Sequence, residues 1–291
     1  MRTLQAYVGR NLRLFYRDPL GVFFSLTGAL VVFLLYALFL GQMQVDALAA
    51  TPGFDADAAR DFVDSWMFAG VVAVAAVTTP LGALSTFVED AASGRFRDFL
   101  VSPVRRAQLV LGYLGSAFII GLLTTLIVLA VALAYLGVTG GTLPDAGQIS
   151  RIVLWTALSV AAYTALWAFV VSFLRTSGSY SGLSTLVGTL TGFVAGAYIP
   201  VGSFPDAVRD AVGLLPFAQS AMLVRREFAV DPLDRLASGA PGAVDELSRV
   251  YGLDLQVGGA LVPVWVAAVV LVVVAVAFTV LAATRIRSRI R

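Results

Sequence analysis

The chain has 291 residues, of which 59% are hydrophobic and 13% charged, against roughly 45–50% and about 25% in ordinary soluble domains. Water is therefore not the solvent for most of it. All 20 basic residues are arginine, 18 acids nearly balance them, and histidine and cysteine are absent, which excludes disulfides, thiolate chemistry, most zinc and haem sites and the usual general base near neutral pH.

Residues 1–17 place Arg2, Arg10, Arg13 and Arg17 on one side of a helix and Leu4, Val8, Leu12 and Phe15 on the other. The spacing predicts an amphipathic helix within 1–21 that either rests on anionic lipid or packs against a cytoplasmic partner, two roles that are compatible. Asp18-Pro19 ends it, because proline disfavours helix at the residue before it. Six apolar stretches then meet the roughly 20-residue requirement of a membrane span: 22–40, 66–88, 108–137, 152–174, 181–200 and 261–284. The first is longer than a signal-peptide core, and Gly41-Gln42-Met43-Gln44 separates it from Ala47-Leu48-Ala49, so it is expected to stay in the protein. The third exceeds the hydrocarbon thickness and is expected to tilt or project.

Arginine placement orients the chain, since positively charged short loops stay in the cytoplasm. With both termini inside, the cytoplasmic segments 1–21, 89–107, 175–180 and 285–291 hold 13 arginines and four acids, and the opposite face holds seven arginines and 14 acids. The expectation is an all-α, multi-pass membrane protein of one domain with cytoplasmic ends. Its preference for arginine, alanine, valine and glycine points to a GC-rich bacterial genome and hence a bacterial cell membrane.

The same residues restrict the chemistry. A phosphate-binding loop needs a lysine and this chain has none, so it does not hydrolyse ATP by that route. No catalytic residue and no metal site is expected, nothing points to nucleic acid, and the six stretches carry no ionisable group well inside them, which argues against coupling to an ion gradient. Thr78, Thr79, Thr124, Thr125, Ser159 and Thr164 read as hydroxyls satisfied by backbone carbonyls. In the fifth stretch Ser184, Gly188, Gly192 and Gly196 recur at four-residue spacing and allow a neighbouring helix close approach, either within the subunit or at a seam between two copies.

Two loops carry a resemblance. After the second stretch, Glu89-Asp90 leads through Gly94, Arg95, Phe96, Arg97 and Phe99 to Leu100-Val101-Ser102-Pro103 and Arg105-Arg106; Phe96, Phe99 and Leu100 share a helical face. After the fifth come Tyr198, Pro200, Phe204, Pro205, Leu214-Leu215-Pro216-Phe217 and Arg225-Arg226. Its prolines forbid one continuous helix and 207–218 is too short to span, which leaves an interfacial hairpin. Together these resemble the ABC-2 type permease family, over nearly the whole chain. The resemblance implies that 89–107 is a coupling loop seated in a separate ABC ATPase that binds ATP and Mg, helped by the N-terminal helix. It also implies that the first and fifth spans meet a second permease copy, with the small-residue row fitting that seam, and that 198–218 is an external re-entrant segment over the exit. The cargo it implies is an amphiphile such as a drug, lipid or hydrophobic peptide, or alternatively a polysaccharide. A passive channel or a membrane scaffold is the rival reading. Residues 219–260 are longer than in the plainest members; they and the acidic loop 41–65 are either ordered caps or solvated connections, with a turn at 239–242 and a short helix at 244–251.

Overall fold

The computed structural model describes residues 2–94, 106–238, 240 and 242–289. Helix α1 (Arg2–Tyr16) ends where Asp18 caps the next helix, its carboxylate accepting from the Gly21 N–H at 3.0 Å with Pro19 at the first helical position; proline is tolerated there because that N–H has no helical acceptor. Helices α2 (Pro19–Ser25), α3 (Thr27–Leu35) and α4 (Gly41–Ala49) follow, α3 and α4 being joined by a π turn over Tyr36–Leu40. The first apolar stretch thus stays helical nine residues past its expected end at residue 40. Gln42-Met43-Gln44 does not break it, because Gln42 pairs with Asp46 one turn on at 2.6 Å and Gln44 donates to Tyr36.

Helix α5 (Ala56–Ala83) is the centre of the bundle: the span Trp66–Leu81 is buried on every side. Asp55 starts it by accepting from the Asp57 and Ala58 N–H groups. Pro80 sits inside it, and side chains meet the neighbouring carbonyls: Trp167 donates to Val77 O at 2.9 Å and Tyr180 to Leu81 O at 2.8 Å. Helix α6 (Ser85–Ala92) continues the direction of α5 after a break at Leu84. Helix α7 (Arg106–Thr139) is one unbroken run of 34 residues, about 50 Å at the usual rise per residue and well beyond a ~30 Å hydrocarbon core. Helix α8 (Ala146–Val171) begins with a reciprocal capping box between Asp145 and Gln148.

Helix α9 (Ser177–Val194) covers the fifth apolar stretch but is only 18 residues long and rich in Ser, Thr and Gly. After a 3-10 turn (Val201–Ser203), α10 (Asp206–Gly213) and α11 (Pro216–Leu236) form a pair bent by 83°. Among the described residues, five helices are long and apolar enough to cross a membrane, or six if that bent pair counts as one span; α9 is not among them. The expected boundary at 218 falls inside α11, which runs on to Leu236 and packs against α5 and α8. Helix α12 (Ala243–Val250) and a two-residue hairpin, Gln256 opposite Leu261 and Val257 opposite Ala260, lead to α13 (Val264–Arg289). The hairpin closes through Gly258 and Gly259, both at positive φ, as a two-residue turn between right-twisted strands requires.

Both chain ends lie at the same end of the bundle, where Phe15, Val88, Leu109, Tyr113 and Ile286 share a core. A second core at the opposite end joins Leu48, Phe62, Trp66, Phe228 and Tyr251. The sides of α3 and α13 expose Val31, Leu34, Val269, Val273 and Val276, an arrangement that suits hydrocarbon and not water.

Candidate functional site

Helix α1 lies across the inner part of α7 and reaches α6. Its Arg10 meets Asp90 with two nitrogens, Nη1 to Oδ2 at 2.9 Å and Nη2 to Oδ1 at 3.0 Å. Asp90 is fully buried, and it also accepts from the Tyr113 hydroxyl at 2.6 Å. Next to this pair Asn11 donates to Ser116 at 2.9 Å, in a buried polar contact between α1 and α7. Hydrogen bonding to Asp90 is the main cause that raises Arg10 above the ordinary guanidinium value, against the opposing effect of burial. A forked guanidinium–carboxylate pair fixes orientation as well as distance. α1, α6 and α7 are therefore joined as one unit at the end that carries the termini.

This geometry divides the acidic pair expected to face a partner. Glu89 is exposed, whereas Asp90 points inward and is used up within the chain; its assignment as a surface contact is corrected. Helical geometry is the reason, since consecutive residues lie about 100° apart around the axis. Gly94 is exposed, closes α6 with φ +76° and has open space where a Cβ would stand. Arg95, Phe96, Arg97, Phe99 and Pro103 lie outside the described residues.

The row of small residues on α9 is partly consumed inside the subunit. Gly28 of α3 packs onto the Gly188 carbonyl, the Tyr198 ring fills the space over Gly192, and Gly196 lies beyond the helix end at φ +63° under Val201. Gly188 itself has nothing within 4 Å of where a Cβ would stand, and Gly178, Gly182, Thr185, Thr189 and Phe193 are exposed along a further face of α9. Four-residue spacing alone did not distinguish these two faces, because small residues occupy both.

In the segment 198–218, expected to be re-entrant, Pro200 is buried, Phe204 is half-buried, and Pro205 and Pro216 start α10 and α11. Sequence reasoning missed Arg225, which is fully buried on α11. Its Nη2 donates to the carbonyls of Ala195 at 2.8 Å and Gly196 at 2.7 Å, and its guanidinium lies 5.2 Å from the Trp66 ring centre. The signal was present as an Arg-Arg pair after an apolar run, but placing residues beyond 218 outside the membrane hid it. Arg225 lies outside the six apolar stretches, so their lack of ionisable groups did not bear on it.

Around it, Trp66 Nε1 donates to Tyr251 O at 2.6 Å, Tyr251 donates to Gln44 at 2.8 Å, and Tyr36 donates to Tyr198 O at 3.3 Å. Phe62, Tyr251, Trp66 and Tyr36 form a chain of edge-to-face rings. Among the described residues there is no group of three or more acids suited to a metal ion. Of the hydroxyls expected to bond backbone, Thr79 meets Ala75 O, Thr125 meets Gly121 O and Ser159 meets Trp155 O, whereas Thr124 faces the Tyr16 hydroxyl and Thr78 and Thr164 are buried without a hydrogen-bond partner among the described residues.

A search among curated proteins gives no match. Residues 41–284 match the family described as ABC-2 family transporter protein, and this match, over an all-helical bundle of five or six membrane-crossing elements, places the chain in that family as the multi-pass membrane permease component of an ABC transporter.

Proposed function

We propose that the chain is the permease subunit of an ATP-driven exporter, with its termini in the cytoplasm and a separate ATPase seated on α1, the exposed edge of α6 and the loop that follows it. The observation that carries this reading is the buried Arg10–Asp90 pair with its Tyr113 hydrogen bond. A segment that receives a push transmits it only if it is tied to the spans, and here α6 is tied to both α1 and α7 through the carboxylate of Asp90, which solvent does not reach. ATP and Mg bind in the partner, and two permease copies enclose the path.

The cargo is an amphiphile such as a drug, lipid or hydrophobic peptide. Supporting this, no charged side chain occurs in 65–88, 107–144, 152–174 or 255–284, so the long helices offer apolar and hydroxyl surfaces. Affinity purification of the tagged chain in mild detergent tests the partner. A stoichiometric P-loop ATPase is the expected companion. Repeated isolation of the chain alone, with the ATPase verified as expressed, overturns the exporter reading.

A further inference from the structure

Arg225 is enclosed by backbone from three directions. A Cβ added at Gly252 would lie 3.1 Å from its Nη1, one at Gly196 3.4 Å from the same atom, and one at Gly70 3.9 Å from its Nη2. The three glycines come from the segment after α12, the end of α9 and the middle of α5. What holds the guanidinium is the pair of carbonyls just past the end of α9, beside the negative end of that helix, and the face of Trp66. Both favour a cation, through the helix dipole and the ring quadrupole. Neither is a carboxylate, and among the described residues no group accepts from Nε or Nη1.

The elements that meet here are also linked through the rings. Tyr36 stands at the first position of the π turn in the first span and reaches Tyr198, while Trp66 reaches Tyr251. Single π turns inside helices recur where a helix must bend or re-aim side chains. From this we infer that Arg225 is a positioning residue that holds the end of the bundle opposite the termini shut: it binds the end of α9 to α5 and α11, and the junction opens when those carbonyls leave it. This deepens the transport reading, on which its consequence for cargo release rests. A packed junction with two discrete arrangements is the kind of element that converts a push elsewhere into opening.

Val201 covers the guanidinium region and is buried. Because the chain has no cysteine, Val201→Cys supplies a single thiol, and its labelling by a membrane-impermeant maleimide in vesicles accessible from both faces reads opening directly. Labelling is slow with Arg225 present and rises about tenfold or more in Arg225→Met and Arg225→Gln, as expected when charged hydrogen bonds that favour the closed state are removed. In parallel, Ala282→Cys, at a buried position near the other end of the bundle, keeps its wild-type rate in the same backgrounds. Unchanged labelling at position 201 overturns the inference. So does an equal rise at both positions, which would make Arg225 a general packing residue. Should Arg225→Met not reach the membrane, Arg225→Gln, which keeps a side-chain donor, decides. The measurement needs neither ATPase nor cargo, so failure to isolate an ATPase leaves its outcome intact, and unchanged labelling leaves the ATPase reading intact.

Discussion

Arg10 and Asp90, 80 positions apart in the chain, meet through two nitrogen–oxygen contacts of 2.9 and 3.0 Å, with the carboxylate fully buried and the guanidinium about one third exposed. Removing one partner leaves the other charge inside the protein without its mate, which typically costs about 3–5 kcal/mol. Asp90→Ala and Arg10→Ala are therefore expected to lower the melting temperature in detergent, and Arg10→Ala to release α1 to limited proteolysis. Asp90→Asn, which keeps the shape and one acceptor, is expected to lose less. A melting temperature unchanged by Asp90→Ala would show that the pair does not hold α1 in place.

Glu89 lies beside Asp90 in sequence but on the exposed side of α6. Glu89→Ala is expected to change stability by less than about 0.5 kcal/mol, as for most surface substitutions, while weakening co-purification of the ATPase or uncoupling its activity from transport. Together with Asp90→Ala, it separates a residue that contacts a partner from one that maintains the fold. Wild-type assembly and wild-type coupled hydrolysis for Glu89→Ala would remove it from the contact surface.

Gly192 has the Tyr198 ring where a side chain would go, whereas Gly182 has open space. Gly192→Leu is expected to destabilise the subunit itself, by about 1–3 kcal/mol or more if the ring cannot move. Gly182→Leu is expected to leave the monomer's melting temperature unaltered and to lower cross-linking between copies if the open face of α9 forms the seam. Cross-linking that is insensitive to Gly182→Leu would assign that face to lipid.

Trp66 supplies both the ring beneath Arg225 and the hydrogen bond to Tyr251 O. Trp66→Phe keeps an aromatic face but leaves a buried carbonyl without its donor, a loss of about 1–3 kcal/mol. The expected result is a lower melting temperature, together with faster proteolysis in the 238–260 region that Tyr251 anchors. Equal proteolysis in the two proteins would mean that this hydrogen bond does not secure that region.

Local sequence determined where helices form and where several of them stop. Asp18-Pro19 ends α1 for a reason contained in two residues, a side-chain cap and a ring that cannot donate. The long uncharged runs require helix in a bilayer because every backbone group must be satisfied within its own segment. The match of residues 41–284 to a known family was also legible, through the order of its loops. Tertiary structure alone decided which side of each helix is used: that Asp90 turns inward to Arg10 while Glu89 does not, that Gly192 is filled by Tyr198 from the same chain, and that Arg225 is buried against Ala195 and Gly196. Periodicity places residues around an axis, but the partner that makes burying a charge or a glycine favourable comes from another part of the chain, such as Arg10 for Asp90 or the carbonyls just past α9 for Arg225. That pairing exists only once the helices have packed.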